Sequence, residues 1–265
     1  MIIDFHTHCF PDNLAVKAMT QLKRRSGIIH TFHDGTVDGL LNAQTKGGVD
    51  LSVVLNIATN PKQMKNVNDF AISLLDKKGI IPFGSIHPDS HDVFAEIERI
   101  KNSGIKGIKL HPDYQNFFAD DEKMFPIYEK IGKEGLITVF HCGIDMGYPY
   151  PVHGNAQRLG KVLDYFGGAP VVAAHMGGIC DFENVMKYLV GKDVYLDTAY
   201  CVGTLPPASA KEIIASHGLK KILFGTDMPW NSPPDAIETV RQWVPGKESQ
   251  DAILGLNAAE LLNLE

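Results

Sequence analysis

The feature that most constrains this chain is a rhythm. Apolar runs of strand length recur at about 2–6 (IIDFH), 51–57 (LSVVLNI), 80–86 (IIPFGSI), 105–111 (IKGIKLH), 136–141 (LITVFH), 170–175 (PVVAAH), 194–199 (VYLDTA) and 222–227 (ILFGTD). Stretches with helical periodicity separate them at 62–78, 92–102, 122–134, 155–166, 181–190 and 207–217. Gly79, Gly104, Gly135, Gly167 and Gly218 stand just past several of their ends, where a left-handed residue commonly closes a helix. Buried strands alternating with helices make a parallel sheet. Eight repeats, with no Gly-rich dinucleotide loop after the first, predict closure into a (β/α)8 TIM barrel in preference to an open doubly wound sheet. The 265 residues, 44% of them hydrophobic, are enough for a single domain over 1–265, because such barrels routinely run to about 250 residues undivided. The tail at 248–262 predicts a last helix or helix pair.

One connection breaks the rhythm. From Cys9 to about Asp50 the chain runs 42 residues between the first two strands, whereas connections beyond about 12–15 residues are usually functional or carry structure of their own. A helical piece at 12–24 precedes an irregular, histidine-containing stretch at 26–39. The span leaves the carboxyl end of the first strand, so a lid-like insertion over the barrel mouth, at about 9–50, is the expectation.

Charge and cysteine usage narrow the setting. A net charge of -6, with no basic run longer than Lys23-Arg24-Arg25, disfavours binding to a nucleic-acid backbone. Cys9, Cys142, Cys180 and Cys201 show no CxxC pair or dense spacing and read as reduced thiols. No basic-then-apolar leader and no uninterrupted apolar stretch of about 18 residues is seen. A cytoplasmic protein acting on a small molecule is expected, with neither nucleic-acid nor membrane partners; a homo-oligomer is left open.

Barrel chemistry sits at the carboxyl ends of the strands, and there the polar residues collect. His6 and His8 end the first strand, His111 the fourth, His141 the fifth, His175 the sixth and Asp227 the eighth. In a strand, residues two apart share a face at about 6.6 Å, so His6 and His8 can converge on one ion. A catalytic zinc takes about three N/O ligands and leaves a position open. His6, His8 and His141 supply nitrogens, and Asp227 supplies an oxygen that also serves as the general base. Zinc lowers the pKa of a water it binds from about 15.7 to about 7, which makes hydroxide available at neutral pH. His175 is then free for acid–base work or for holding the water and polarising substrate, with a fifth ligand or a packing histidine as the alternatives.

Together these segments resemble the amidohydrolase superfamily, specifically its amidohydrolase-related (amidohydrolase 2) family, which includes aminocarboxymuconate semialdehyde decarboxylase and many metal-dependent hydrolases. The resemblance covers nearly the whole chain: DFHTH at 4–8, GIKGIKLHP at 104–112, VFHCG at 139–143, VVAAHMGG at 171–178, VYLDTAY at 194–200, LFGTDMPW at 223–230 and ILGLNAAELL at 253–262. It implies a (β/α)8 barrel, a metal held by His6, His8, His141 and Asp227, and a catalytic His175. One divalent ion is expected, zinc, with manganese as the alternative. Lys109 predicts a buried cation paired with Asp4; bridging of two metals by a carboxylated lysine, as in binuclear relatives, is the alternative. His111 either contacts substrate or supplements the metal shell. His111, Lys109, Tyr148, His153 and Trp230 are the candidates for facing substrate. The expected activity is hydrolysis of a lactone, amide or ester by a metal-activated water. Decarboxylation is the alternative, and an arginine or lysine clamp in the lid would mark it; Lys23, Arg24 and Arg25 lie on a helix whose facing the sequence does not fix.

Overall fold

The computed structural model describes residues 1–28, 30–148 and 150–264. Ile29, inside the expected lid, Pro149, in the loop after the fifth strand, and Glu265 lie outside the described residues. Strands form where the apolar runs fall: β1 (Ile3–Thr7), β2 (Leu51–Leu55), β3 (Ile80–Ser85), β4 (Gly107–Leu110), β5 (Ile137–Phe140), β6 (Val171–Ala173), β7 (Tyr195–Asp197) and β8 (Ile222–Leu223). They pair in parallel in sequence order. The ring is joined between β1 and the chain continuing β8, where Phe5 N donates to Phe224 O, Asp227 N to His6 O and His8 N to Met228 O, each at 2.8 Å. The fold is a (β/α)8 TIM barrel.

Helices occupy the intervals: α1 (Asp12–Ser26), α2 (Val37–Gly47), α3 (Met64–Ser73), α4 (Val93–Asn102), α5 (Pro112–Gln115), α6 (Phe125–Lys133), α7 (Ala156–Gly160), α8 (Phe182–Tyr188), α9 (Pro207–His217), α10 (Pro233–Trp243), α11 (Lys247–Asp251) and α12 (Asn257–Leu261). Strands covered on both faces read as nearly continuous apolar runs. One buried cluster includes Ile97 and Ile100 of α4, Tyr128 of α6, and Ile108, Leu110 and Phe140 of the strands. A second gathers Phe5, Val53, Leu55, Phe83, Val139 and Val172 with Ala258 and Leu262 from the tail. Gly107 is a glycine for a steric reason: a Cβ there would lie 2.3 Å from the Phe83 ring.

The first connection holds two different things. Helix α1 lies along the cavity at the strand ends, to which it gives Leu14, Ala18, Leu22 and Arg25. Helix α2 instead packs on α10, so closely that a Cβ on Gly47 would sit 2.6 Å from Cβ of Pro233. The stretch expected to be irregular over 26–39 therefore ends in a helix start, with Thr36 Oγ1 accepting from Gly39 N at 2.9 Å. The register of β1 against β2 also slips between Asp4 and Thr7, a bulge of the kind that re-aims side chains beside active sites. Among the described residues no helix is long and apolar enough to cross a membrane.

Candidate metal centre

His6, His8 and Asp227 come together at the strand ends, with one donor atom from each within 4.8 Å of the others. Asp227 Oδ1 lies 3.1 Å from His8 Nε2 and 3.5 Å from His6 Nε2. The other ring nitrogens are already engaged. His6 Nδ1 faces Asp197 Oδ2 at 2.8 Å, and His8 Nδ1 donates to the Leu55 carbonyl at 2.9 Å. With the Nδ1 protons committed to oxygen, both Nε2 atoms present lone pairs. Burial pushes the Asp227 carboxyl up, and the charge and hydrogen bond of His6 and His8 in their protonated forms draw it below the usual carboxylate range, a part that a cation bound between the neutral rings would take over. Burial, followed by the Lys109 charge, drives the His6 pKa well down and keeps the ring neutral. Two nitrogen lone pairs and a carboxylate oxygen face one point, with the Lys109 ammonium 3.3 Å from His6 Nε2 on one side, and three N/O donors so placed suit a catalytic divalent ion.

His141 stands apart from this trio. Its Nδ1 lies 3.0 Å from His175 Nε2, and His175 Nδ1 donates to the Ala199 carbonyl at 2.9 Å. His175 Nε2 is therefore the acceptor and His141 Nδ1 the donor. That leaves a lone pair on His141 Nε2, which is buried and has no partner among the described residues. The same chemistry fits a ligand, although His141 is grouped within 4.8 Å of His111 and Asp145, not of the trio. That second group does not fit an ion. The His111 and His141 rings stack at 4.0 Å and 9°, so lone pairs lying in near-parallel ring planes do not converge. In addition, His111 Nδ1 accepts from Tyr114 N, which leaves its Nε2–H for Asp145 Oδ2 at 3.3 Å.

Asp197 in β7 had no role in the sequence reading, yet it braces the site. Besides His6, it accepts from the amides of His175 at 2.9 Å and Ala199 at 3.0 Å. Its signal was present as the single acid of VYLDTAY. Asp227 and His175 both adopt left-handed backbone, with φ of 66° and 60°. Such strain persists where surrounding bonds over-determine it, and here Asp227 N is tied to His6 O.

Lys109 is buried as expected, but its expected partner is wrong. Its Nζ lies 3.3 Å from His6 Nε2, while Asp4 is taken up by Thr226, through the amide at 2.9 Å and the hydroxyl at 2.5 Å, and by His6 N at 3.2 Å. The slip in β1 after Asp4 breaks the strict alternation on which the Asp4 pairing rested. Burial lowers the Lys109 pKa to about 8, against the pull of Asp197 and Asp227.

These groups open into a cavity of about 970 Å³ that also receives His111, Tyr114, Tyr148 and Trp230. Of the candidates for facing substrate, His153 is not in its lining; that ring lies tilted at 45° against Phe118, with centroids 4.2 Å apart. Tyr114, unmarked in the sequence reading, stacks on His111 at 3.9 Å. On helix α1, Arg24 and Arg25 line the cavity and Lys23 does not.

Comparison with known proteins agrees with this architecture. The model of a family described as amidohydrolase matches residues 3–264. No curated protein matches. Among solved structures, a TIM-barrel protein from Bordetella bronchiseptica superposes with a TM-score of 0.79 at 18% identity, covering 99% of this chain and 98% of its own. A 5-carboxyvanillate decarboxylase from Sphingomonas paucimobilis gives 0.68 at 16%, covering 100% and 99%. A probable 2-pyrone-4,6-dicarboxylic acid hydrolase from Acinetobacter baumannii, with citric acid bound, gives 0.69 at 18%, covering 99% of each chain. At these identities the likeness is one of fold.

Proposed function

We propose, from the premise that this chain belongs to the amidohydrolase family, that it is a metal-dependent hydrolase of a small organic substrate of lactone, amide or ester type. The observation that carries the reading is the convergence of His6 Nε2, His8 Nε2 and Asp227 Oδ1 at the cavity. A divalent ion bound there, zinc or alternatively manganese, would supply Lewis-acid activation of water and of the substrate carbonyl. The residues supply the rest. Asp227, which the bound cation would keep ionised, accepts the proton of the attacking water. His175, fixed by Asp197 and Ala199, handles the second proton at Nε2 once the hydrogen bond it accepts there from His141 Nδ1 is released, and Asp197 holds His6 in the tautomer that leaves Nε2 for the ion. A cavity of about 970 Å³ has the size of a small-molecule site.

One observation favours a second reading. Arg24 and Arg25 of the lid line the cavity, the clamp expected of a carbon–carbon lyase that decarboxylates an acid. Turnover in ¹⁸O-labelled water separates the two. Hydrolysis places the label in the organic product, and release of carbon dioxide with an unlabelled organic product establishes the lyase. In either case Asp227→Asn should keep metal at least partly bound while turnover falls by about 10², the scale of losing a positioned base. Near-native turnover with metal in place would move the base elsewhere, to His175 first.

A further inference from the structure

Arg25 ends the lid helix in an unusual setting. Its guanidinium carbon lies 4.8 Å from the centre of the Tyr148 ring and 5.9 Å from that of Tyr114, and Nη1 donates to the Tyr148 hydroxyl. Its stem crosses Gly147, where a Cβ would stand 2.6 Å from Arg25 Cγ and 2.9 Å from Cδ; a larger residue there would displace the arginine. The acid that lines the same part of the cavity, Asp145, is occupied, its Oδ1 by Gly147 N at 2.7 Å and its Oδ2 by His111 at 3.3 Å. Among the described residues no carboxylate lies within ion-pair distance of Arg25. A guanidinium presents five N–H donors in a planar fork suited to a carboxylate, and one of them is used here. Two rings and a glycine notch thus hold a cation at the cavity wall with its charge unmatched.

We propose that Arg25, with the Tyr148 hydroxyl, forms an anion subsite that receives a carboxylate of the substrate remote from the reacting carbon. The substrate is then an organic acid whose second functional end reaches the His6, His8 and Asp227 cluster. The wall between the two ends is a stack of His141 on His111, His111 on Tyr114 and Tyr114 beside Tyr148, with centroids 4.0, 3.9 and 4.9 Å apart, and it favours a flat body. The inference rests on the proposed function in taking this cavity as the substrate site.

The test is calorimetric binding to the purified protein, with metal content measured on the same samples. The probes are isophthalate, with two carboxylates on one rigid ring, benzoate, with one, and inorganic phosphate. Isophthalate should bind the parent protein more tightly than benzoate or phosphate does. Arg25→Gln should weaken isophthalate by about tenfold or more, the scale of a lost charge-assisted pair, and benzoate by clearly less, because a single carboxylate can settle at the other end of the cavity instead; Arg25→Lys should recover part of the loss. The subsite is overturned if Arg25→Gln leaves isophthalate binding intact or weakens both acids equally, as a mere fastening of the lid would. It is also overturned if the parent protein binds phosphate as well as isophthalate, or fails to bind isophthalate at millimolar concentration. Arg25-dependent binding in a protein that carries no metal would sink the metal-enzyme reading and leave the subsite standing, whereas metal with Arg25-independent binding would do the reverse.

Discussion

His33 shows how burial decides the charge of a histidine in this chain. It is 9% exposed, its Nδ1 accepts from Gly35 N at 3.0 Å, and its Nε2 has no partner among the described residues. Burial lowers its pKa from 6.5 to about 4, against the pull of Asp34. Between those values the unfolded chain binds the proton and the folded one does not, so stability rises with pH across the window and is lost as pH falls from 6.5 towards 4. The full interval is worth up to about 3 kcal/mol. His33→Gln, which does not titrate, should flatten this dependence when urea unfolding is compared at pH 7 and pH 4.5, since the other buried histidines contribute to both proteins. Equal losses in the two proteins would show that His33 is not the group responsible. At this scale His6, His8 and Asp227 were legible because strand ends fix where such residues point. Arg25 was not, because Lys23, Arg24 and Arg25 are successive, about 100° apart around a helix, and only packing decides which of them meet the cavity. Asp197 was missed because an acid in a strand acquires its meaning from partners on two other strands.

Among the elements, every strand lay where its apolar run predicted; β1 is shifted by one residue and the other seven are shorter than their runs. β8 has two paired residues, and its continuation bonds instead to β1. Helix α2 escaped notice because VDGLLNAQTKG carries glycine at both ends of a short amphipathic segment. Its signals, a Thr36 cap and the buried Leu40, were weak beside an expectation of irregular chain. Deleting 26–39 would therefore cut into the barrel's outer ring as well as the expected lid. The cleaner test of the lid is on α1: Leu14→Ala with Leu22→Ala should shift substrate preference or raise KM and leave metal content unchanged. Loss of metal from a barrel that remains folded by circular dichroism would end the lid reading.

For the molecule as a whole, the barrel brings residues from distant parts of the sequence to one mouth, and the account depends on an ion being held there by His6, His8 and Asp227. Closure between β1 and the end of β8 sets the two histidines against the aspartate, so the alternation of strand and helix that shapes the fold also assembles the site. The direct measurement is elemental analysis of the purified protein beside His6→Ala and His8→Ala, each checked for folding. The predicted result is about one divalent ion per chain in the parent protein and loss of that ion from both variants. Undiminished metal in both would remove these histidines from the site, and two tightly bound ions per chain would replace the single-ion account with one in which Lys109 bridges a pair.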